Sequence, residues 1–418
     1  MLVQGFGKPG CRTAPGPGAS VAGLRPASFA QKLWRFCTNP RVREPDLIEP
    51  LHAAIRQQAA ATPGVLLAVH DWSTLSFGRH PSKADRATLT HARDLGYDLA
   101  TVLIVRGDTG EPVAPAAVTL CTADAVYSTC ATPSPPGTPH IDQILPAMQQ
   151  VHACGFGPEV VHVIDREADS AAHWRRWSAE GHLAVVRADD RQVRCQDQPT
   201  TLRAVAAGLH RDGQMHEAGA VSYRGRPGRL LVAEAAVVLH RPGTRNVGRK
   251  KQVIPGEPLP LRLVVAEVRD RQDRVLARWL LLSNVPPRLG DAATVARWYY
   301  YRWRIEGLHK LLKTAGWQVE GWQQRDGQRV LKKLLLALAA CVSLWALQRR
   351  HDTQSQAFQA LLMQLGGRQT KPGRPVTTSG MLAGLWVLQS ALGPLARHGP
   401  ETLQAMLAEH LPLFAQKT

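Results

Sequence analysis

The chain has 418 residues, 44% of them apolar, enough for two or three domains with a sizeable core, and this excludes wholesale disorder. Its 51 Lys and Arg against 33 Asp and Glu leave a formal charge of +18, so a polyanion is the expected partner. The longest apolar stretch, Leu334 to Leu347, has 14 residues, short of the roughly 18 to 20 that a bilayer crossing needs; it reads as a buried helix, and no membrane partner is expected.

Residues 1–28 form a basic segment rich in Gly and Pro with few large apolar side chains, which predicts a flexible arm. It lacks the continuous apolar core of a secretory signal. Seven scattered cysteines without a Cys-x-x-Cys pair suit a reducing, cytoplasmic setting and give no zinc pattern. Residues 29–62 read as a short helical piece, with Leu51, Ala54, Ile55 and Ala59 on one side of a helix over Glu49 to Ala61. Apolar runs at Val65–Val69, Leu99–Val105 and Ala116–Leu120 predict three strands. Helical spacing over Ile141 to Ala153, a strand at Val160–Ile164, a helix over Ala168 to Ala179 and a strand at Leu183–Val186 complete a first core segment, 63–192. Residues 193–285 carry strand-like runs at Leu230–Leu239, Leu261–Val268 and Val275–Leu282, separated by Pro, Gly and charged turns, and predict an all-β insertion. After Pro286-Pro287 the pattern is helical: 286–330 as a second core segment, 331–418 as a carboxyl-terminal helical region.

Two aspartates, Asp71 and Asp165, each end an apolar strand run. Such an Asp can carry chemistry, or merely start a turn or cap the next helix. A stronger signal is Tyr299-Tyr-Tyr-Arg302-Trp-Arg-Ile-Glu306-Gly-Leu-His-Lys310-Leu-Leu-Lys313. At 100° per residue, Tyr299, Arg302, Glu306 and Lys313 fall within about 60° and Lys310 widens the arc to about 80°. Ile305, Leu308, Leu311 and Leu312 project to the other side, giving a cationic stripe around one carboxylate. The stripe fits ordinary i,i+4 ion pairs, and it also fits a phosphodiester site in which Glu helps hold a divalent ion while Tyr, Arg and Lys engage phosphate.

Asp165-Arg166-Glu167-Ala168-Asp169, together with Tyr-x2-Arg-x3-Glu-x6-Lys at Tyr299, Arg302, Glu306 and Lys313, resembles the bacterial cut-and-paste insertion-sequence transposases of family four. His70-Asp71-Trp72-Ser73 looks like that family's first-aspartate segment, with Trp-Ser where Thr-Thr is usual. The resemblance runs from about Phe36 to the carboxyl terminus. It implies an α/β, RNase H-like catalytic core interrupted by the β insertion, followed by an α-helical region serving dimerisation. Asp71, Asp165 and Glu306 would be the catalytic and metal-binding triad, holding two Mg2+ ions (Mn2+ as substitute) roughly 3.5 to 4 Å apart. Tyr299, Arg302, Lys310 and Lys313 would grip DNA phosphates. Trp279 sits where relatives stack a flipped base, although packing within a strand explains it equally. Arg187 reads either as a phosphate contact or as a surface ion-pair partner.

Arg249-Lys250-Lys251 and Lys332-Lys333 read either as contacts along DNA or, as short charge runs more often are, as solvated faces, and they stay outside the site. His70 and His162 flank the aspartates without zinc spacing. The implied activity is metal-dependent cleavage and strand transfer at transposon ends by a homodimer on paired terminal inverted repeats and target DNA, with a hairpin intermediate. A catalytically silent DNA-binding inhibitor and an RNase H-like nuclease or resolvase are the alternatives.

Overall fold

The structure is a computed structural model, and its described residues are 26–61, 64–247, 250–368 and 376–410. They form two compact units, each assembled from separated stretches: 51–74 with 98–306, and 26–50 with 75–97 and 307–410. The arm expected over 1–28 lies outside the described residues as far as residue 25. From Pro26 the chain is helical instead, in α1 (Pro26–Thr38), and α2 (Glu44–Ala61) starts earlier than its apolar spacing indicated.

The first-core elements follow the expected order with two small strands added. They are β1 (Leu66–Ser76), β2 (Ala87–Thr88), β3 (Leu95–Arg106), β4 (Pro112–Cys121), β5 (Val126–Ser128), α3 (His140–Ala153), β6 (Val160–Ile164), α4 (Ala171–Ala179) and β7 (Leu183–Arg187). The region expected to be all-β contains β8 (Gln192–Cys195), β9 (Gln198–Thr201), β10 (His216–Tyr223), β11 (Arg226–Leu239), β12 (Gly243–Val247), β13 (Lys250–Ile254), β14 (Leu259–Arg269) and β15 (Val275–Ser283). It also contains a helix, α5 (Leu202–Arg211), which corrects the expectation. The cause is local. The Thr201 hydroxyl caps the helix by accepting from the Ala204 N–H at 3.2 Å, and Leu202, Ala206 and Leu209 are buried along one side.

The larger unit is built on a mixed sheet ordered β5-β4-β3-β1-β6-β7-β15-β14-β11-β8-β9. The pairs β1/β6 and β6/β7 are parallel, as strands joined through α3 and α4 must be, and β7/β15 is antiparallel. The insertion therefore lengthens the core sheet through β15. One face is covered by α3, α4 and α5, whose Ile144, Met148, Trp174, Trp177, Leu202 and Leu209 pack with Ile164, Val186 and Leu282. Helix α6 (Ala292–Tyr300) packs on β6, β7, β11 and β14.

Strand register places the chemistry. Leu66 pairs with Val160 and Val69 with Val163; carried two residues further, this register sets Asp71 beside Asp165. Val161 pairs with Leu183 and Ile164 with Val186; one further step sets Asp165 beside Arg187. Paired residues share a face of the sheet, so this register directs the two acids and the arginine to one face, just past the last pairs of ladders whose strands lie about 4.8 Å apart. His70 and His162 have the opposite parity and meet on the other face, with His70 Nε2 2.9 Å from His162 Nδ1. Strand β1 continues to Ser76, so Asp71 lies within a strand and not at its end as the apolar run indicated.

In the other unit, α7 (Trp303–Lys313) continues from the larger unit and is followed by α8 (Gly327–Gln348), α9 (Thr353–Leu365) and α10 (Thr378–His410). The apolar stretch Leu334–Leu347 is the middle of α8, whose 22 residues are long and apolar enough to cross a membrane, as is Thr378–Met406 of α10. In α8 the apolar side chains, among them Leu331, Leu334, Leu335, Leu338 and Trp345, are buried in this unit. Helices α9 and α10 meet backbone to backbone: a Cβ on Gly384 would stand 1.7 Å from the Leu362 carbonyl oxygen. Lys332 and Lys333 are not a solvated face. Lys332 is 1% exposed and donates to the Asn39 carbonyl at 3.2 Å, while the Lys333 ammonium lies 4.2 Å from the Trp322 ring centre. Both stems are drawn inward by the apolar surface they cover.

Candidate active site

Asp165 follows β6 directly and caps a one-turn 3-10 helix over Arg166–Ala168, its Oδ1 accepting from the Arg166 N–H at 2.7 Å. The same oxygen accepts from the Tyr299 hydroxyl at 3.0 Å and lies 3.5 Å from Arg187 Nη1. Its other oxygen is 3.4 Å from Arg302 Nη2, and that same nitrogen is 3.0 Å from Glu306 Oε1. Asp71 completes the group through its electrostatic coupling to Arg302 and Glu306. One guanidinium thus bridges Asp165 and Glu306 and acts electrostatically on Asp71 as well.

The sequence placed Tyr299, Arg302 and Glu306 on one helical stripe, and the structure corrects this. The chain turns at Tyr301-Arg302 between α6 and α7, so Tyr299 ends one helix, Arg302 occupies the turn and Glu306 lies in the first turn of the next. Arg302 is therefore buried at 7% exposure instead of standing on a cationic surface. Lys310 and Lys313 belong to the other unit, where Lys313 pairs with Glu320 at 3.4 Å.

The two aspartates are driven apart electrostatically. Burial raises the Asp71 carboxyl to about 6, against the pull of Arg302 and with the push of Glu306 and Glu167. Asp165 is buried as well, but Arg302, the Arg166 N–H, Tyr299 and Arg187 outweigh the burial and hold it below the ordinary carboxylate range. Burial also works against the Arg302 cation, yet Tyr299, Asp165, Asp71 and Glu306 together raise its pKa. Its Nε is buried and makes no hydrogen bond among the described residues.

Trp279 is 5% exposed and edge-on to Tyr299, with ring centres 5.4 Å apart. It lines an open pocket with Arg187, Arg302 and three residues that sequence reasoning left unassigned, Tyr223, Arg224 and Trp303. Trp303 lay inside the recognised motif, whereas Tyr223 and Arg224 arrive from the β10–β11 hairpin, which no spacing in the sequence ties to the site. Beside Asp71, Trp72 stacks on His140 at 4.6 Å, nearly parallel. Burial opposes protonation of His140, but Asp98 at 2.5 Å and Glu167 at 3.5 Å raise its pKa to about 9.

Carboxylate oxygens are the donors that hard divalent ions prefer. Among the described residues, however, no three His, Cys, Asp or Glu side chains are close enough to hold a metal ion together, and Arg302 bridges Asp165 and Glu306. The donor chemistry fits a metal, and the present packing pairs Asp165 and Glu306 with a guanidinium.

No family model and no curated protein matches the chain. Among solved structures it is similar to the cryo-EM structure of the piggyBac transposase synaptic complex with hairpin DNA, at 13% identity and a TM-score of 0.37, covering 90% of this chain and 63% of that one. It thus spans a little under two thirds of that transposase chain, and a likeness at this level fixes neither its family nor its activity.

Proposed function

We propose that the protein is a DNA transposase with an RNase H-like core, of the insertion-sequence family-four kind, that cleaves and joins phosphodiester bonds. The observation that carries the reading is the convergence of Asp165 and Glu306 on Arg302, with Asp71 in the same register row. The strand order β4-β3-β1-β6-β7 around those acids and the charge of +18 support it.

Bound divalent ions, Mg2+ or Mn2+, would supply an activated water or 3′ hydroxyl and stabilise the departing oxygen, held by Asp71, Asp165 and Glu306. The chain's own groups do the remainder. A DNA phosphate entering beside Arg302 offers oxygens to its unpaired Nε–H and competes with the carboxylates for the guanidinium. Tyr299 and Arg187 fix Asp165 in orientation. Trp279, with Tyr223 and Trp303, offers ring faces and edges to a base that leaves the stack. The exposed apolar side chains of α9 and α10, Phe358, Leu361, Val387, Leu392 and Leu395, supply a face for a second copy, as paired DNA ends require.

The experiment mixes protein, Mg2+ and labelled inverted-repeat ends and looks for nicks and hairpins. Asp71→Ala, Asp165→Ala and Glu306→Ala are each expected to abolish products and leave DNA affinity within about threefold, since affinity comes mainly from cations and counterion release. Full cleavage by any of the three overturns the triad. A second reading, a silent DNA-binding relative, draws on Arg302 standing among the acids; stable binding by the wild type without any cleavage would favour it.

A further inference from the structure

Beyond the carboxylate row, the C-terminal end of β7 opens into a second concavity of about 780 Å³, lined by Arg166, Arg187, Arg203, Arg278 and His210 over Leu280 and three alanines, with Asp189 and Asp190 at its edge. Helix α5 builds one wall. Arg203, Ala206, Ala207 and His210 recur at spacings of three and four and share one stripe, so two methyl-sized side chains lie between two basic ones. The opposite wall comes from β7 and β15, joined where the Ala188 N–H donates to the Leu280 carbonyl at 2.8 Å.

The base of the groove is fixed by Glu267, which is fully buried. It accepts from His210 at 2.8 Å, from Arg269 at 2.8 Å and from Arg278, so the acid holds two groove residues in place and leaves Arg278 half exposed. The two aspartates are weak competitors. Arg203 is 3.9 Å from Asp190 and Arg166 is 3.3 Å from Asp189, with all four side chains exposed or partly so. Exposed pairs of this kind are weak and yield to a phosphate.

We infer that this groove is a track for one unpaired DNA strand leading away from the carboxylate site. Four arginines along the edges match a row of phosphates, and the floor of Leu280 and alanines is apolar and shallow enough for sugars and bases to approach. A duplex meets protein largely through its phosphates and keeps its base faces stacked inside, whereas an unpaired strand can also lay bases and sugars on an apolar floor. Arg187 and Arg278 line both this groove and the pocket holding Trp279, Tyr299 and Trp303, so the two adjoin along these arginines. The inference rests on the transposase reading only for the identity of the polyanion.

Arg203→Gln tests it cleanly, because Arg203 is 79% exposed and belongs neither to the carboxylate site nor to the Glu267 cluster. Binding of a 20-nucleotide oligo-dT and of a 20-base-pair duplex is followed by fluorescence anisotropy over a salt series, with thermal melting as a check on folding. For the single strand, affinity should fall about three- to tenfold and the slope of log K against log salt should drop by about 0.7, the loss of one phosphate contact. Arg203→Glu should double the effect, and duplex binding should stay unchanged. An unaltered single-strand slope in a folded variant overturns the groove, and an equal loss with duplex overturns the single-strand assignment. Absence of metal-dependent cleavage by the wild type would instead refute the catalytic reading and leave the slope result standing.

Discussion

Replacing Arg302 by Met removes the cation shared by the acids while keeping much of the side chain's bulk. The guanidinium is 8% exposed and lies 3.4 Å from Asp165 and 3.0 Å from Glu306, whose side chains are 28% and 43% exposed. Removing one partner of a buried pair costs about 3–5 kcal/mol, and the exposure of Glu306 places this case at the lower end, about 3 kcal/mol. For a unit of this size that is a fall of about 6–12 °C in Tm. The loss should be measured by thermal unfolding in EDTA. Adding Mg2+ should then restore more stability to Arg302→Met than it adds to the wild type, because in the wild type the ion must first displace the guanidinium. Ion at one hundred times its Kd contributes about 2.7 kcal/mol. A variant as stable as the wild type in EDTA, or an identical Mg2+ response in both proteins, would refute the idea that Arg302 occupies the cation's place.

Gly384→Ala should destabilise the α9–α10 pair by about 3 kcal/mol, because its Cβ would overlap the Leu362 carbonyl and backbones cannot relax as side chains do; a chemical denaturation midpoint unchanged from wild type would contradict this. Burial depresses the His309 pKa to about 4. Its contribution to stability is therefore complete above the unfolded value near 6.5 and is lost as pH falls toward 4, about 2 kcal/mol of it by pH 5. Asp71 and Asp169, both raised to about 6 chiefly by burial, shift stability the opposite way. The measurement is accordingly the difference between wild type and His309→Gln in urea melts at pH 7 and pH 5, and a difference that stays constant refutes the assignment.

Much of the core was legible because its strands are short continuous apolar runs. Val160–Ile164 is reproduced residue for residue, and Leu183–Val186 falls one short of β7. Helix α5 was missed because the residues around it read as strands at longer range, although Thr201 and the spacing of Leu202, Ala206 and Leu209 carried a helix signal. Helical periodicity drew Tyr299 and Glu306 onto one face, yet it could not reveal the turn at Tyr301-Arg302, and burial of Arg302 follows from that turn. Tyr223 and Arg224 reach the site through strand pairing far from the motifs, and no local pattern encodes such neighbours.

Because Asp71 and Asp165 each stand two residues beyond the last pair of the β1/β6 ladder, the ladder, and not the length of the roughly ninety-residue excursion between them, sets their alignment. Loops in that excursion can lengthen or shorten freely at the site's expense of nothing. A slip of a single residue between β1 and β6, by contrast, would turn an acid into the histidine-lined layer and an apolar side chain toward the face that carries Asp165 and Arg302. The fold's tolerance to change is thus divided by pleat geometry: generous in the connections, absent in two short ladders.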